Sequence, residues 1–245
     1  MKVSVITIVK NGMPFVAETI QSVINQDYEF IEYIVIDSVS TDGTVEYALS
    51  CKDKIIKLVS ENDAGIADAF NKGLGLVSGD YIMFLNADDK FYKVDAISSL
   101  VSHAESNGYP TFLYGDCEVL DRNTGHKKYI ASIKFKLDGL LKGLMPPHPS
   151  MLVHKSYFEK YGNFDSSFKI AMDFEWFTRG IKYSNIVHVP IIITSVRDGG
   201  ISTRNQIKVI SEIIAALKKN CYLPSVFTLI TLWLYFLTSY MTRVI

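Results

Sequence analysis

Four short apolar runs divide roughly the first ninety residues, and their spacing constrains the fold more than any other feature. Val3–Val9, Ile31–Ile36, Ile55–Val59 and Tyr81–Leu85 each have the length and aliphatic make-up of a buried strand. Helical segments separate them. Pro14 suits a first helical position ahead of Phe15, Ile20, Val23 and Ile24. A short helix starts near Gly43 with Asp42 as its N-cap, and Gly65–Val77 reads as a third helix. Such alternation predicts an α/β fold, a largely parallel sheet with helices on both faces.

The pattern then loosens. A helix is expected over Val94–Ala104, a strand over Thr111–Tyr114 and a hairpin around Asn123-Thr124-Gly125. Met145-Pro146-Pro147-His148-Pro149 cannot sit inside a helix and predicts a lining loop. Ser150–His154 reads as a strand, Met172–Ile181 as a helix, and residues 185–196 as one or two short strands. Ile207, Ile210, Ile214 and Leu217 mark an amphipathic helix ending near Asn220.

A chain of 245 residues holds one domain, or one domain with an appendage. Lys+Arg 25 against Asp+Glu 26 leaves a net charge of −1, so no basic field calls for nucleic acid. Cys51, Cys117 and Cys221 lack any metal or disulfide spacing and read as reduced thiols in a cytosolic setting. The amino-terminal VSVITIV has no signal-peptide layout.

The tail differs in kind. Residues 220–242 carry no charge, and as a helix they would run about 34 Å, enough to cross a hydrocarbon core. A spanning helix, an embedded anchor and a helix buried on a partner all fit; membrane attachment is the expectation, through the membrane surface or the bilayer. Arg204, Lys208, Lys218 and Lys219 precede the stretch and only Arg243 follows, which puts the rest of the chain on the cytoplasmic side, at the inner face of the membrane.

The chemistry concentrates where strands end. DYIMFLNADD runs a buried strand straight into Asp88 and Asp89. Adjacent carboxylates there repel and are costly to desolvate, and a divalent cation, Mg²⁺ or Mn²⁺, relieves both problems. Open α/β sheets bind ligands beyond the carboxyl ends of their strands. Asp37 ends another strand beside Ser38, Ser40 and Thr41, where a carboxylate accepts from a base N–H or a ribose hydroxyl. In AMDFEW, Asp173 and Glu175 both qualify as a proton acceptor. Glu175 sits four before Arg179, a ready salt-bridge partner, so Asp173 is the freer acid, and Trp176 can stack on a sugar face. His148 is a candidate for phosphate or acceptor contact. Arg197, with Gly199 and Gly200, suits a loop closing over a pyrophosphate. Asp63 and Asp68 read as helix-start acids, and Asn71 and Lys72 face cleft or water.

VSVITIVKN, ETIQSVINQDYEFIEYIVIDSVSTDGT, ENDAGIADAFNKGLGLVSGDYIMFLNADD and PHPSMLVHKSYFEKYGNFDSSFKIAMDFEW together resemble family 2 glycosyltransferases of the GT-A fold. The likeness runs in family order over roughly residues 3–180. It implies a GT-A domain over 1–203, with a nucleotide-binding half (1–90) and an acceptor-binding half (91–203), followed by the carboxy-terminal helices of 204–245. It also implies a metal-assisted, inverting transfer from a nucleotide-sugar, usually a UDP-sugar. By the same resemblance Asp37 contacts the base, and NADD stands at the family's DXD motif, with Asp88 the metal ligand. Asn86 replaces the first acid of that motif and keeps an oxygen for ribose. Asp173 matches the Asp of the family's Glu-Asp motif, with Met172 in place of the Glu. The expected reaction moves a hexose or N-acetylhexosamine to a glycan acceptor, lipid-linked, in cell-surface polysaccharide synthesis. An inactive nucleotide-sugar-binding subunit and a nucleotidyltransferase are the alternatives.

Overall fold

The computed structural model describes residues 1–222. β1 (Val3–Val9), α1 (Phe15–Ile24), β2 (Ile31–Asp37), α2 (Thr44–Ser50), β3 (Lys57–Ser60), α3 (Ile66–Leu74) and β4 (Tyr81–Phe84) alternate as the apolar runs require. Then follow β5 (Lys90–Phe91), α4 (Ala96–Ser106), β6 (Phe112–Leu120), β7 (Lys127–Ala131), β8 (Met151–His154), α5 (Ser156–Tyr161), α6 (Met172–Gly180), β9 (Ile186–Arg197), α7 (Ile201–Arg204) and α8 (Gln206–Lys219).

All the strands join one sheet in the order β3-β2-β1-β4-β8-β6-β9-β5, with β7 pairing to β6. β1, β2, β3 and β4 are mutually parallel, whereas β8 is antiparallel to both β4 and β6. The sheet is therefore mixed. Its strands read as continuous apolar runs because both faces are covered. Ile6, Ile34, Ile36, Ile82, Phe84 and Phe112 point to one face, against Phe70 of α3 and Trp176 and Phe177 of α6. Val3, Val5, Tyr33, Val35, Tyr81 and Met83 point to the other, against Val16 and Ile20 of α1 and Leu100 of α4. α3 lies so close that a Cβ on Gly73 would stand 2.6 Å from Ile6 Cγ2. Replacing Gly73 requires Ile6 or the helix to shift.

The strand order reverses at β1, between β2 and β4, which opens a crevice at the carboxyl ends of those strands. On the far side, α8 packs against α6 and closes one core face with Ile213, Ala216 and Leu217. Asn220 donates to Thr178 Oγ1 (2.7 Å) and Tyr222 is buried, so the chain is part of this core through residue 222. The expected hydrophobic helix of 220–242 lies almost wholly outside the described residues. Among those described, no helix is long and apolar enough to cross a membrane.

Candidate functional site

A cleft of about 1660 Å³ opens at the crevice. Its walls come from the β1–α1 loop, the residues after β4, the Pro146–Pro149 loop, the start of α6, the β6–β7 hairpin and the segment after β9. Asp88 and Asp173 both line it, although they lie in different halves of the chain.

One end is built by the loop after β1, which is laced to the loop after β2 behind it. Asn11 N–H donates to Ser40 Oγ (2.7 Å), Thr41 N–H to Asn11 Oδ1 (2.9 Å), and Met13 N–H to Asp42 Oδ2 (2.8 Å). Asp42 both ties the loop and accepts from Thr44 N–H (3.1 Å) at the start of α2, a cap-like bond, while Gly43 between them is left-handed. Beneath these loops lies Asp37, fully buried. Its Oδ2 accepts from Ser40 N–H (3.0 Å) and Ser60 Oγ–H (2.6 Å), while Oδ1 is sealed with no partner among the described residues. An unpaired buried carboxylate oxygen is costly, and Asp37 is not among the residues that line the cleft as it stands.

After β4 the two adjacent acids part company. Asp88 stays at the cleft wall, and its Oδ2 accepts from Arg122 Nη1 at 2.6 Å. Asp89 turns inward and is 1% exposed, where Asn86 Nδ2 donates to its Oδ2 (3.0 Å). Burial, then the neighbouring charge of Asp88, pushes the Asp89 carboxyl up to about 8. With no cation bound, a raised carboxyl value lets Asp89 relieve the repulsion by holding a proton, and its side chain supports Asn86.

That assignment has a pH signature. Between the ordinary carboxyl value of 3.8 and about 8, the unfolded chain releases a proton that the fold retains. Stability linked to Asp89 is complete below the lower value, falls by up to about 1.4 kcal/mol per pH unit through this window, and is gone above the upper one. Urea midpoints in metal-free buffer at pH 5 and pH 8 are expected to diverge for the wild type and to move together for Asp89→Asn. Equal divergence in both proteins would mean that Asp89 is ionised inside.

Arg197 also departs from expectation. It ends β9 and is buried, its Nη1 donating to the Asp88 carbonyl (2.7 Å), its Nη2 to Glu18 (2.7 Å), and its guanidinium lying 4.5 Å from the Phe15 ring centroid. So held, it buttresses the Asp88 turn and is not a mobile phosphate clamp. Arg197 lines the cleft together with Gly199 and Gly200, ahead of α7.

The facing wall carries Asp173, in the first turn of α6, where the helix dipole favours a carboxylate. Its launch point is fixed from a distance. The Glu212 carboxylate of α8 accepts three successive backbone N–H groups, from Lys169 (3.0 Å), Ile170 (2.8 Å) and Ala171 (2.8 Å). Most of α6 is buried, and only Asp173 and Arg179 are not. Glu175 is fully buried in a pair with Arg179 Nε (3.0 Å) and Lys219 Nζ (3.0 Å), so it anchors the helix. Trp176 is 0% exposed and stacks on Phe158 at 4.5 Å, which rules out the sugar platform expected of it. His148 lines the cleft, stacked on Phe84 at 5.0 Å, with Nε2 buried and unpartnered among the described residues. Burial holds its imidazole below the ordinary value, and the charge of Asp173 pulls the other way. A neutral ring is a hydrogen-bonding group and a poor phosphate clamp.

The profile of Glycosyl transferase family 2 matches residues 4–162, and an uncharacterized glycosyltransferase of Mycobacterium tuberculosis strain H37Rv is 32% identical over 206 residues, 83% of this chain and 78% of its own. The chain belongs to glycosyl transferase family 2. A second relative in this family, a PGL/p-HBAD biosynthesis glycosyltransferase of Mycobacterium bovis, is 25% identical across 75% of this chain and 72% of its own. Among solved structures, S. aureus TarS 1-349 in complex with UDP-GlcNAc superposes with a TM-score of 0.71 at 17% identity, over 89% of this chain and 66% of that one. A mannosyltransferase from Pyrobaculum calidifontis in complex with GDP-Man and Mn²⁺ gives 0.64 at 19% identity, over 94% and 72%. These likenesses establish a GT-A-like fold, and the family match removes the nucleotidyltransferase alternative.

The strand-end oxygens of this glycosyltransferase suit a hard divalent ion arriving with phosphates. Asp88 offers a carboxylate at the cleft wall, and the Asn86 amide donates through nitrogen, leaving its oxygen without a protein partner among the described residues. No group of three His, Cys, Asp or Glu side chains converges there among the described residues, so a donor's phosphates and water would complete the shell. The weaker candidates are structural. Asp63 and Asp68 accept backbone N–H groups at the start of α3, Lys72 pairs with Glu61 (2.8 Å), and Asn71 ties Phe164 through both its amide atoms. Sequence reading missed Arg122 and Glu212. Arg122 had only its place beside a hairpin turn as a signal, and Glu212 only its place on the polar side of an amphipathic helix.

Proposed function

We propose that this glycosyltransferase moves a hexose or N-acetylhexosamine from a UDP-sugar to a glycan acceptor, with inversion. The reading is carried by one observation: a strand-end carboxylate and a helix-start carboxylate, Asp88 and Asp173, line a single cleft large enough for donor and acceptor together. Asn86 would contact the ribose, and the unpaired Oδ1 of Asp37 would accept from a uracil N–H or a ribose hydroxyl once the laced loops above it part. A divalent ion, Mg²⁺ or Mn²⁺, held by Asp88 would neutralise charge on the leaving diphosphate. Asp173 takes the proton of the acceptor hydroxyl as its oxygen attacks the anomeric carbon from the face opposite the diphosphate. No covalent sugar–enzyme intermediate is required. His148 lies near enough to Asp173 to feel its charge and suits a contact to the incoming hydroxyl.

A panel of labelled UDP-sugars and a GDP-sugar, offered with Mn²⁺ and acceptor extract, tests this directly. Nucleotide release with one UDP-sugar, dependent on metal and raised by acceptor, is the expected result. Binding without release under every condition would favour the inert nucleotide-sugar-binding subunit.

The acceptor we propose is lipid-linked, in cell-surface polysaccharide synthesis, with the enzyme held at the cytoplasmic face of the membrane through residues 220–242. The support is the uncharged composition of that stretch. Because Tyr222 is buried, the truncation that tests attachment removes residues 223–245. It is expected to shift the protein from the membrane fraction to the supernatant and to leave UDP-sugar hydrolysis within about twofold. Insoluble or unfolded truncated protein would make the tail part of the core.

A further inference from the structure

We propose that Arg122 is an exchangeable counter-ion, pairing with Asp88 while the cleft is open and turning to the donor's diphosphate when the metal–donor complex arrives. The inference rests on the reading of Asp88 as the metal-side ligand. Two arginines converge on Asp88, and they are held quite differently. Arg197 is 6% exposed in its side chain and is fixed by the Asp88 carbonyl, Glu18 and Phe15. Arg122 is anchored at its base, where its backbone N–H donates to Asp198 Oδ1 (3.0 Å). Its guanidinium has one hydrogen-bond partner among the described residues, the Asp88 carboxylate, and otherwise lies 5.1 Å from the Phe15 ring centroid. Both side chains of that pair remain about a third exposed, at 31% and 29%, so water can help to separate them.

Charge balance supplies the reason to exchange. The two negative charges of a sugar diphosphate balance a divalent ion, which leaves Asp88 to be balanced by Arg122. A cation held on Asp88 occupies the carboxylate oxygen a metal would take; moved to the diphosphate, it frees that oxygen and its charge is offset by the phosphates. When the bond to the sugar breaks, the diphosphate gains a further negative charge, and a guanidinium already beside it stabilises that charge as it forms. Arg122 projects from the hairpin between β6 and β7, outside the strand-end motif, and can turn without disturbing Asp88.

The probe is Mn²⁺ alone, measured by the paramagnetic resonance signal of the free ion, without nucleotide. Arg122→Met keeps the aliphatic stem over Phe15 and is expected to bind Mn²⁺ about fivefold more tightly than wild type. The same variant is expected to transfer sugar roughly a hundredfold more slowly, with a smaller rise in donor KM. Arg122→Lys keeps the charge and should leave Mn²⁺ affinity at the wild-type value; Arg122→Gln serves if the Met variant does not fold. Unchanged or weaker Mn²⁺ binding by the neutral variants overturns the proposal. Asp88→Ala separates the two levels: it should abolish Mn²⁺ binding, and undiminished binding would overturn the reading of Asp88 as ligand, and the exchange with it.

Discussion

Asp173→Asn is expected to slow sugar transfer by roughly 10³-fold while UDP affinity stays within about twofold of wild type. The amide is isosteric and keeps the oxygen that accepts Phe174 N–H at 2.8 Å, so the first turn of α6 survives the exchange. Only the capacity to take a proton is lost. The effect should fall on kcat, because the acceptor hydroxyl binds in its neutral form and surrenders its proton in the transition state. Glu175→Gln is the informative contrast. It turns two charge-assisted pairings with a fully buried carboxylate into weaker bonds to an amide, and leaves Arg179 and Lys219 to their other partners and to water, a loss of about 1–3 kcal/mol. Thermal melting should therefore separate the variants, with a normal transition for Asp173→Asn and a depressed one for Glu175→Gln. If Asp173→Asn loses nucleotide binding and transfer in equal measure, Asp173 belongs to the donor side and the proton acceptor must be sought elsewhere.

The contrast also shows where the chain was legible. Asp173 drew notice because Glu175 has a partner four residues on and Asp173 has none at that spacing. Asp37 and Asp88 drew it because each is a carboxylate at the end of an apolar run, where a charge demands an explanation from local sequence alone. β1, β2 and β4 were found for the same reason, since seven or fewer buried residues between turn signals leave little choice of structure. β6 was cut short at Tyr114. Gly115 and Asp116 break the apolar pattern, and only the long pairing with β9 and β7 carries the strand on to Leu120. At Gly115 the two strands come so close that a Cβ would meet Ile193 at 2.5 Å, a requirement that exists only once they are paired. Trp176 misled because an aromatic three residues from an acid shares its helix face when the helix is exposed. With α6 wedged between the sheet and α8, every flank of Trp176 meets protein. Arg122 and Glu212 were invisible for a further reason. Their partners lie tens of residues away, and no spacing rule reaches that far.

Asp88→Ala is expected to lower kcat/KM for transfer by roughly 10²–10³-fold and to abolish the part of UDP affinity that depends on Mn²⁺. The fold should tolerate the change. Asp88 and Arg122 are each about 30% exposed, and such a pair contributes at most about 1 kcal/mol once solvent screening is counted, so the melting temperature should hardly move. The wall itself stays in place, because Arg197 holds the Asp88 carbonyl, which an alanine retains. Asp88→Asn refines the test, since it removes the charge but keeps an oxygen. With Asn86 already neutral, that variant has two amide oxygens at the cleft wall and only the almost wholly buried Asp89 as a carboxylate beside them. If charge governs metal retention, Asp88→Asn behaves like the alanine variant; if an oxygen at that place suffices, it keeps most of the activity. Calorimetric titration of UDP with and without Mn²⁺ reads the difference. Mn²⁺-dependent affinity that persists in both variants would place the metal on other residues and end the role assigned to Asp88.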